Sequence, residues 1–126
     1  MSPVRVLIID DHNAVREALC ASLRAAGVEV AGCTGDWRSG LQEALKLKPD
    51  VVLLEIKRTD GEGLVALQRL TGECPFASIV VLTSYPDVEE QIAALHMGVA
   101  RYLLKNIDTP QLVREIQAVV RPRAMV

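Results

Sequence analysis

Aromatic residues are scarce in this chain. It has one Trp, two Tyr and one Phe among 126 residues, so any core must be built from Val, Leu, Ile and Ala. A charge excess of one sign is also missing. Lys and Arg number 14 against 16 Asp and Glu, a formal charge of −2, which argues against binding nucleic acid by bulk charge. Cysteines are few: Cys20, Cys33 and Cys74, an odd number with no C-x-x-C pair. They are expected to be reduced, mostly buried thiols rather than redox or metal groups. No apolar run is long enough to cross a bilayer. Met1-Ser2-Pro3-Val4-Arg5 does not read as a secretory signal, so the cytoplasm is the expected compartment. Internal repeats and low-complexity stretches are absent.

Half of the residues are hydrophobic, and the length suits one domain. At this size roughly two-thirds of the unfolded surface can be buried without staples. The organising stretch is Val51-Val52-Leu53-Leu54-Glu55, an apolar run ending in one carboxylate. Pro49-Asp50 precede it and Asp60, Gly61 and Gly63 follow closely. A short apolar run bounded by turn residues reads as a strand buried on both faces. Three further runs end the same way: Val4 to Ile9 in Asp10-Asp11, Ile79 to Leu82 in Thr83-Ser84, and Tyr102 to Leu104 in Lys105. In an open parallel sheet such ends share one edge, where ligands bind.

Helical patterns separate these runs. Val15, Leu19, Leu23 and Ala26 mark a first helix over about 14–26, closed by Gly27, and Val28 to Cys33 suits an outer strand. Asp36 can cap a second helix carrying Trp37, Leu41, Ala44 and Leu45, which Pro49 stops. A third, about 62–70, carries Leu64, Leu67 and Leu70. Asp87 and Glu90 have capping-box spacing before a fourth with Val88, Ile92 and Leu95, ending at Gly98. Thr109 as cap and Pro110 as first residue open a fifth, with Leu112, Val113, Ile116, Val119 and Val120 as its buried stripe. Five strands alternating with five helices predict an α/β fold, a parallel sheet with helices on both faces.

The strand ends carry the chemistry. Asp10 and Asp11 can converge on Glu55, and three carboxylates at one edge repel one another unless a cation is present. Mg²⁺ would relieve that repulsion. Lys105 supplies a fixed positive charge and Thr83 a hydroxyl, a setting for phosphoryl transfer or phosphate sensing. Each feature alone has a plainer reading. The Asp pair could be a loop and helix cap, Lys105 a solvated strand end, Thr83 a β-branched strand residue. His12 reads as an exposed loop residue rather than a ligand.

Val6-Leu7-Ile8-Ile9-Asp10-Asp11-His12 with Val15-Arg16-Glu17 resembles the opening of a response-regulator receiver domain of the LuxR/NarL kind. Pro49 to Leu54, Val81-Leu82-Thr83-Ser84, and Gly98 with Tyr102-Leu103-Leu104-Lys105 are similar to the same family at the expected places. The resemblance runs from about Val4 to Val120. It implies a flavodoxin-like (βα)5 fold with strand order 2-1-3-4-5, a receiver over 1–121, and the start of a linker or tail over 122–126. By resemblance, Asp11 binds Mg²⁺ directly and Asp10 largely through water, and Glu55 and the Lys57 carbonyl complete the metal set. Thr83 is the switch hydroxyl, Tyr102 the switch aromatic, and Lys105 the partner of a phosphoryl group.

Two departures stand at the centre. The family's phosphoacceptor is Asp, and this chain has Glu55. The extra methylene adds about 1.5 Å of bond length, whereas in-line attack depends on much finer placement. Phosphorylation is therefore expected to be slow or absent, and Mg²⁺ binding weakened or lost. Lys57-Arg58-Thr59-Asp60 also stands where the family usually has a Met-Pro pair and a Gly. The resulting expectation is a signalling domain, not an enzyme, with Glu55 as a partial phosphomimic carrying about −1 against nearly −2 for a phosphate ester. The alternative is a phosphorylation-independent interaction module. A phosphatase using Asp10 or Asp11 as nucleophile is disfavoured, because adjacent aspartates lack the alternate spacing that role needs. The resemblance also implies a sensor histidine kinase as partner, DNA contact only through a C-terminal output domain, and no membrane. A homodimer is expected through Arg16, Glu17 and Arg24 on the first helix and Arg114, Glu115 and Gln117 on the last.

Overall fold

The computed structural model describes residues 3–121. The expected linker or tail over 122–126 lies outside them. Five strands alternate with five helices: β1 (Arg5–Ile9), α1 (Asn13–Ala25), β2 (Glu29–Thr34), α2 (Trp37–Leu47), β3 (Val51–Leu54), α3 (Gly63–Glu73), β4 (Ser78–Thr83), α4 (Val88–His96), β5 (Arg101–Leu104) and α5 (Thr109–Val119). The sheet order is β2-β1-β3-β4-β5 and every pairing is parallel, as the alternation predicts.

Strand periodicity sorts the core into two layers. Leu7, Ile9, Val52, Leu54, Ile79 and Val81 point to the face covered by Trp37, Leu41 and Ala44 of α2, Ala66, Leu67 and Leu70 of α3, and Ala94 of α4. Their neighbours Val6, Ile8, Val51, Leu53, Val80 and Leu82 point to the face covered by Cys20 and Leu23 of α1 and Leu112, Ile116 and Val119 of α5. The central strands are buried on both sides, which is why they read as unbroken apolar runs.

Several helix faces differ from the sequence pattern. Val15 and Ala26 are exposed, and α1 buries Leu23, as the pattern expects, together with Cys20. Leu64 is exposed because Gly63 sits directly on the Ile56 carbonyl, where a Cβ would collide. That approach turns Ala66, Leu67 and Leu70 inward, and α3 continues past Gly72 to Glu73. On α4 only Ala94 is buried, and Val88, Ile92 and Leu95 all face outward. The cap of α5 is Asp108, not Thr109: its carboxylate accepts from the Gln111 amide at 2.8 Å, and Asp is a stronger cap than Thr. Lys48 closes α2 in the left-handed region at φ 48°, directly before Pro49, which disfavours a further right-handed helical residue.

The cysteine expectation is corrected. Cys20 and Cys33, 13 positions apart in sequence, form a disulfide joining α1 to the edge strand β2. Packing of a helix on its neighbouring strand brings them together, a relation that short-range spacing does not reveal. Cys74 alone is a free thiol, and burial pushes its pKa up, aided by Glu73.

Candidate functional site

Backbone pairing continues one residue beyond three strands and delivers the site residues to one edge. The Asp10 amide donates to the Thr34 carbonyl, the Glu55 amide to Ile9, and the Lys105 amide to Thr83. Asp10, Glu55 and Lys105 thus leave the sheet at the same edge, with the end of β4 between the last two. The Lys105 ammonium lies between two buried carboxylates, 2.6 Å from Asp10 Oδ2 and 2.8 Å from Glu55 Oε1. The three side chains are only 9%, 3% and 1% exposed, in the order Lys105, Asp10, Glu55. The second Glu55 oxygen accepts from the Lys57 amide at 3.1 Å.

Asp11 is held separately. Its Oδ2 accepts from the Thr59 amide at 2.7 Å and from the Thr59 hydroxyl at 2.5 Å. Its burial opposes ionisation, but the two Thr59 bonds and the charges of Arg58 and His12 outweigh that and hold its carboxyl below the ordinary range. Asp11 Oδ1 is buried and makes no hydrogen bond. His12 lies in the loop between β1 and α1 with its side chain 41% exposed, and it also turns toward the acidic pair. Its amide donates to Asp10 Oδ1 at 2.9 Å, and its Nδ1 stands 3.1 Å from that same oxygen and 3.4 Å from Asp11 Oδ1. Such Asx-type closure two residues on is a local habit of Asp, and it was the one sequence signal for this role.

The remaining predicted residues lie at the same edge in other company. Thr83 is fully buried, and its hydroxyl accepts from the Tyr85 amide at 3.2 Å. Tyr102 packs against the α2–α4 layer, where its hydroxyl donates to Glu90 at 2.9 Å and accepts from the Asp87 amide at 3.2 Å. The Lys57 side chain leaves the pocket for α4, 3.1 Å from Glu90, and that carboxylate raises the lysine pKa. Among the dimer candidates, Arg16 folds back to donate to the Asp10 carbonyl at 2.7 Å, and Glu115 pairs with Arg101 at 2.9 Å. Sequence reasoning missed Arg58. Its side chain is 1% exposed, its Nη2 donates to the Gly35 carbonyl, its Nε donates to Asp60 at 3.1 Å, and its Nη1 has no partner. Nothing in its loop composition distinguishes an inward arginine from a solvated one.

The acidic cluster fits one cation. Asp10, Asp11 and His12 each offer an atom, all within 4.8 Å of one another, and the unpartnered Asp11 Oδ1 is a buried acceptor in want of a positive partner. A hard, oxygen-seeking ion such as Mg²⁺ suits the two carboxylates.

The response regulator receiver domain model matches residues 6–117. The chain is 34% identical over 116 residues to the transcriptional regulatory protein LiaR of Bacillus subtilis, covering 91% of this chain and 55% of that one. It is 33% identical over 119 residues to the probable transcriptional regulatory protein TcrX of Mycobacterium tuberculosis, covering 94% and 50%. It therefore spans about half the length of these relatives. A CheY-like receiver domain from Methanospirillum hungatei superposes with a TM-score of 0.84 at 26% identity over 93% of each chain. Sheet order, strand-end chemistry and these matches agree: the chain belongs to the response regulator receiver family.

Proposed function

We propose that this receiver serves a response regulator controlling transcription through an output domain, and that Glu55 acts in it as a partial phosphomimic. The observation that carries this is the buried Glu55 carboxylate 2.8 Å from the Lys105 ammonium. A carboxylate so placed supplies part of the negative charge that a phosphoryl group would bring. The mimicry is incomplete, since Lys105 is engaged while the Thr83 hydroxyl bonds the Tyr85 amide. Receivers bind Mg²⁺ at their acidic pocket, where the ion neutralises and orients phosphoryl oxygens. Here Asp11, Asp10 and His12 would hold it. Its affinity is weakened, because both Asp10 oxygens and both Glu55 oxygens already have protein partners. A sensor histidine kinase is the corresponding upstream partner. The exposed Glu17, Arg24, Arg114 and Gln117 of α1 and α5 remain available to a second copy.

Incubation with a small phosphodonor, followed by intact mass measurement, tests this reading. No stable phosphoryl adduct is expected on the wild type, and Glu55→Asp should gain one. An adduct on the wild type that disappears in Glu55→Gln would overturn it.

A second reading is a phosphorylation-independent interaction module. It is favoured by the apolar side chains exposed around α4 and the end of β5: Tyr85, Val88, Ile92, Leu95 and Leu104. Self-association unchanged in Glu55→Gln and Lys105→Ala, measured by sedimentation, would select this reading over the mimic.

A further inference from the structure

Lys57 touches both the acidic pocket and α4. Its amide donates to Glu55 Oε2 at 3.1 Å, while its ammonium stands 3.1 Å from Glu90 Oε2 and 3.8 Å from Asp87 Oδ2. The other Glu90 oxygen accepts from the Tyr102 hydroxyl at 2.9 Å, and that hydroxyl accepts from the Asp87 amide at 3.2 Å. The Asp87 carboxylate caps α4 by accepting from the Glu90 amide at 3.1 Å. Contacts thus run without a gap from the carboxylate at position 55 through Lys57, Glu90 and Tyr102 to the first turn of α4.

Each carboxylate on this route divides its oxygens between two partners. Glu55 gives one to Lys105 and one to the Lys57 amide, and Glu90 gives one to Tyr102 and one to the Lys57 ammonium. The Glu90 side chain is 11% exposed, so water does not freely replace a partner that it loses. The Lys57 side chain is 38% exposed, and an ion pair that open adds little stability. What it fixes is position: one residue is tied by its backbone to the pocket and by its side chain to α4. Thr83, the switch hydroxyl by resemblance, takes no part in this route, because its hydroxyl bonds the Tyr85 amide. The helix at the far end is the one that turns Val88, Ile92 and Leu95 outward.

We propose that Lys57 is a positioning residue through which Tyr102 and the start of α4 sense the carboxylate at position 55, in place of a link through Thr83. This rests on the reading of Glu55 as the charge of the pocket and names what reads it. A bond to an ionised acceptor is stronger than one to a neutral acceptor, so loss of the Glu55 charge loosens the Lys57 amide. The loop after β3 then shifts, and the Lys57 ammonium carries that shift to Glu90 and from there to Tyr102.

Amide hydrogen exchange of the whole chain, followed by NMR, tests the link, since exchange reads local opening. The Asp87 amide reports its bond to Tyr102 and the Glu90 amide reports the cap. Glu55→Gln is expected to speed both by roughly 2- to 30-fold, the range over which residues along such a link act. Lys57→Met should speed them alone, and adding Glu55→Gln to it should bring no further change. The response to Glu55→Gln should persist in Lys57→Arg, which keeps the cation, and in Thr83→Val. A response that survives in Lys57→Met, or is lost in Thr83→Val, overturns the link and leaves the phosphomimic standing. No response to Glu55→Gln on the wild-type background also overturns the link, and the phosphodonor experiment then judges the mimic by itself. If Glu55→Gln does not fold, Lys57→Met and Lys57→Arg decide alone. Faster Asp87 exchange in the first and wild-type exchange in the second support the link, and equal exchange in both overturns it.

Discussion

Lys105 is the residue on which the strand edge depends. It places one positive charge between two buried carboxylates, and its removal would leave both without that partner. Lys105→Ala should cost about 3–5 kcal/mol in urea denaturation, the usual penalty for breaking a buried ion pair from one side. Adding Glu55→Gln to that variant should recover part of the loss. A double-mutant cycle should return a coupling of roughly 1–3 kcal/mol, because the two residues are in direct contact. At this scale much of the site was legible. Asp10, Glu55 and Lys105 each follow an apolar run, and a parallel sheet must bring such positions to one edge. Arg58 was not legible, since the Gly35 carbonyl that draws it inward belongs to a strand end 23 residues away.

At the scale of elements, helix ends follow local rules and helix faces follow packing. Asp108→Ala should destabilise the protein by about 1 kcal/mol in thermal denaturation, whereas Thr109→Ala should change little, since Asp108 makes the capping bond. Gly63→Ala would ordinarily gain helix propensity of up to about 1 kcal/mol. Here it should destabilise instead, because its Cβ would meet the Ile56 carbonyl. The α2–α3 link titrates. Bonds from Arg38 and from the Trp37 indole hold the Glu62 carboxyl below its ordinary value of 4.5. A depressed folded pKa means the contribution is present above about pH 4.5 and fades as pH falls through the lower folded value. The stability difference between wild type and Glu62→Gln, followed by Tm, should therefore narrow under acid conditions. The outward stripe of α4 was beyond sequence reasoning: Val88, Ile92 and Leu95 repeat as a buried face would, yet Ala94 is the residue the sheet accepts.

At the scale of the molecule, the Cys20–Cys33 bridge ties the helix that opens the acidic pocket to the strand that closes its side. Closing a loop of this size should stabilise the oxidised form by roughly 3 kcal/mol relative to the reduced one. Thiol titration of unfolded, unreduced protein should count one reactive cysteine, Cys74, and reduction should raise the count to three. A count of three before reduction would remove the bridge from the account. The two-layer core itself does not rest on the bridge, since both faces of β1, β3 and β4 are covered by helices.

The order of elements, the parallel sheet and the polar group at each strand's end were determined by the chain alone. Apolar runs, caps and turn residues act over a few positions, and connection rules leave few ways to assemble the result. Tertiary structure decided which carboxylate oxygens are already occupied, which arginine is buried, which helix faces outward and which cysteines meet. Those outcomes depend on distances between residues far apart in sequence. Their energies arise only when burial removes the water that would otherwise satisfy each group.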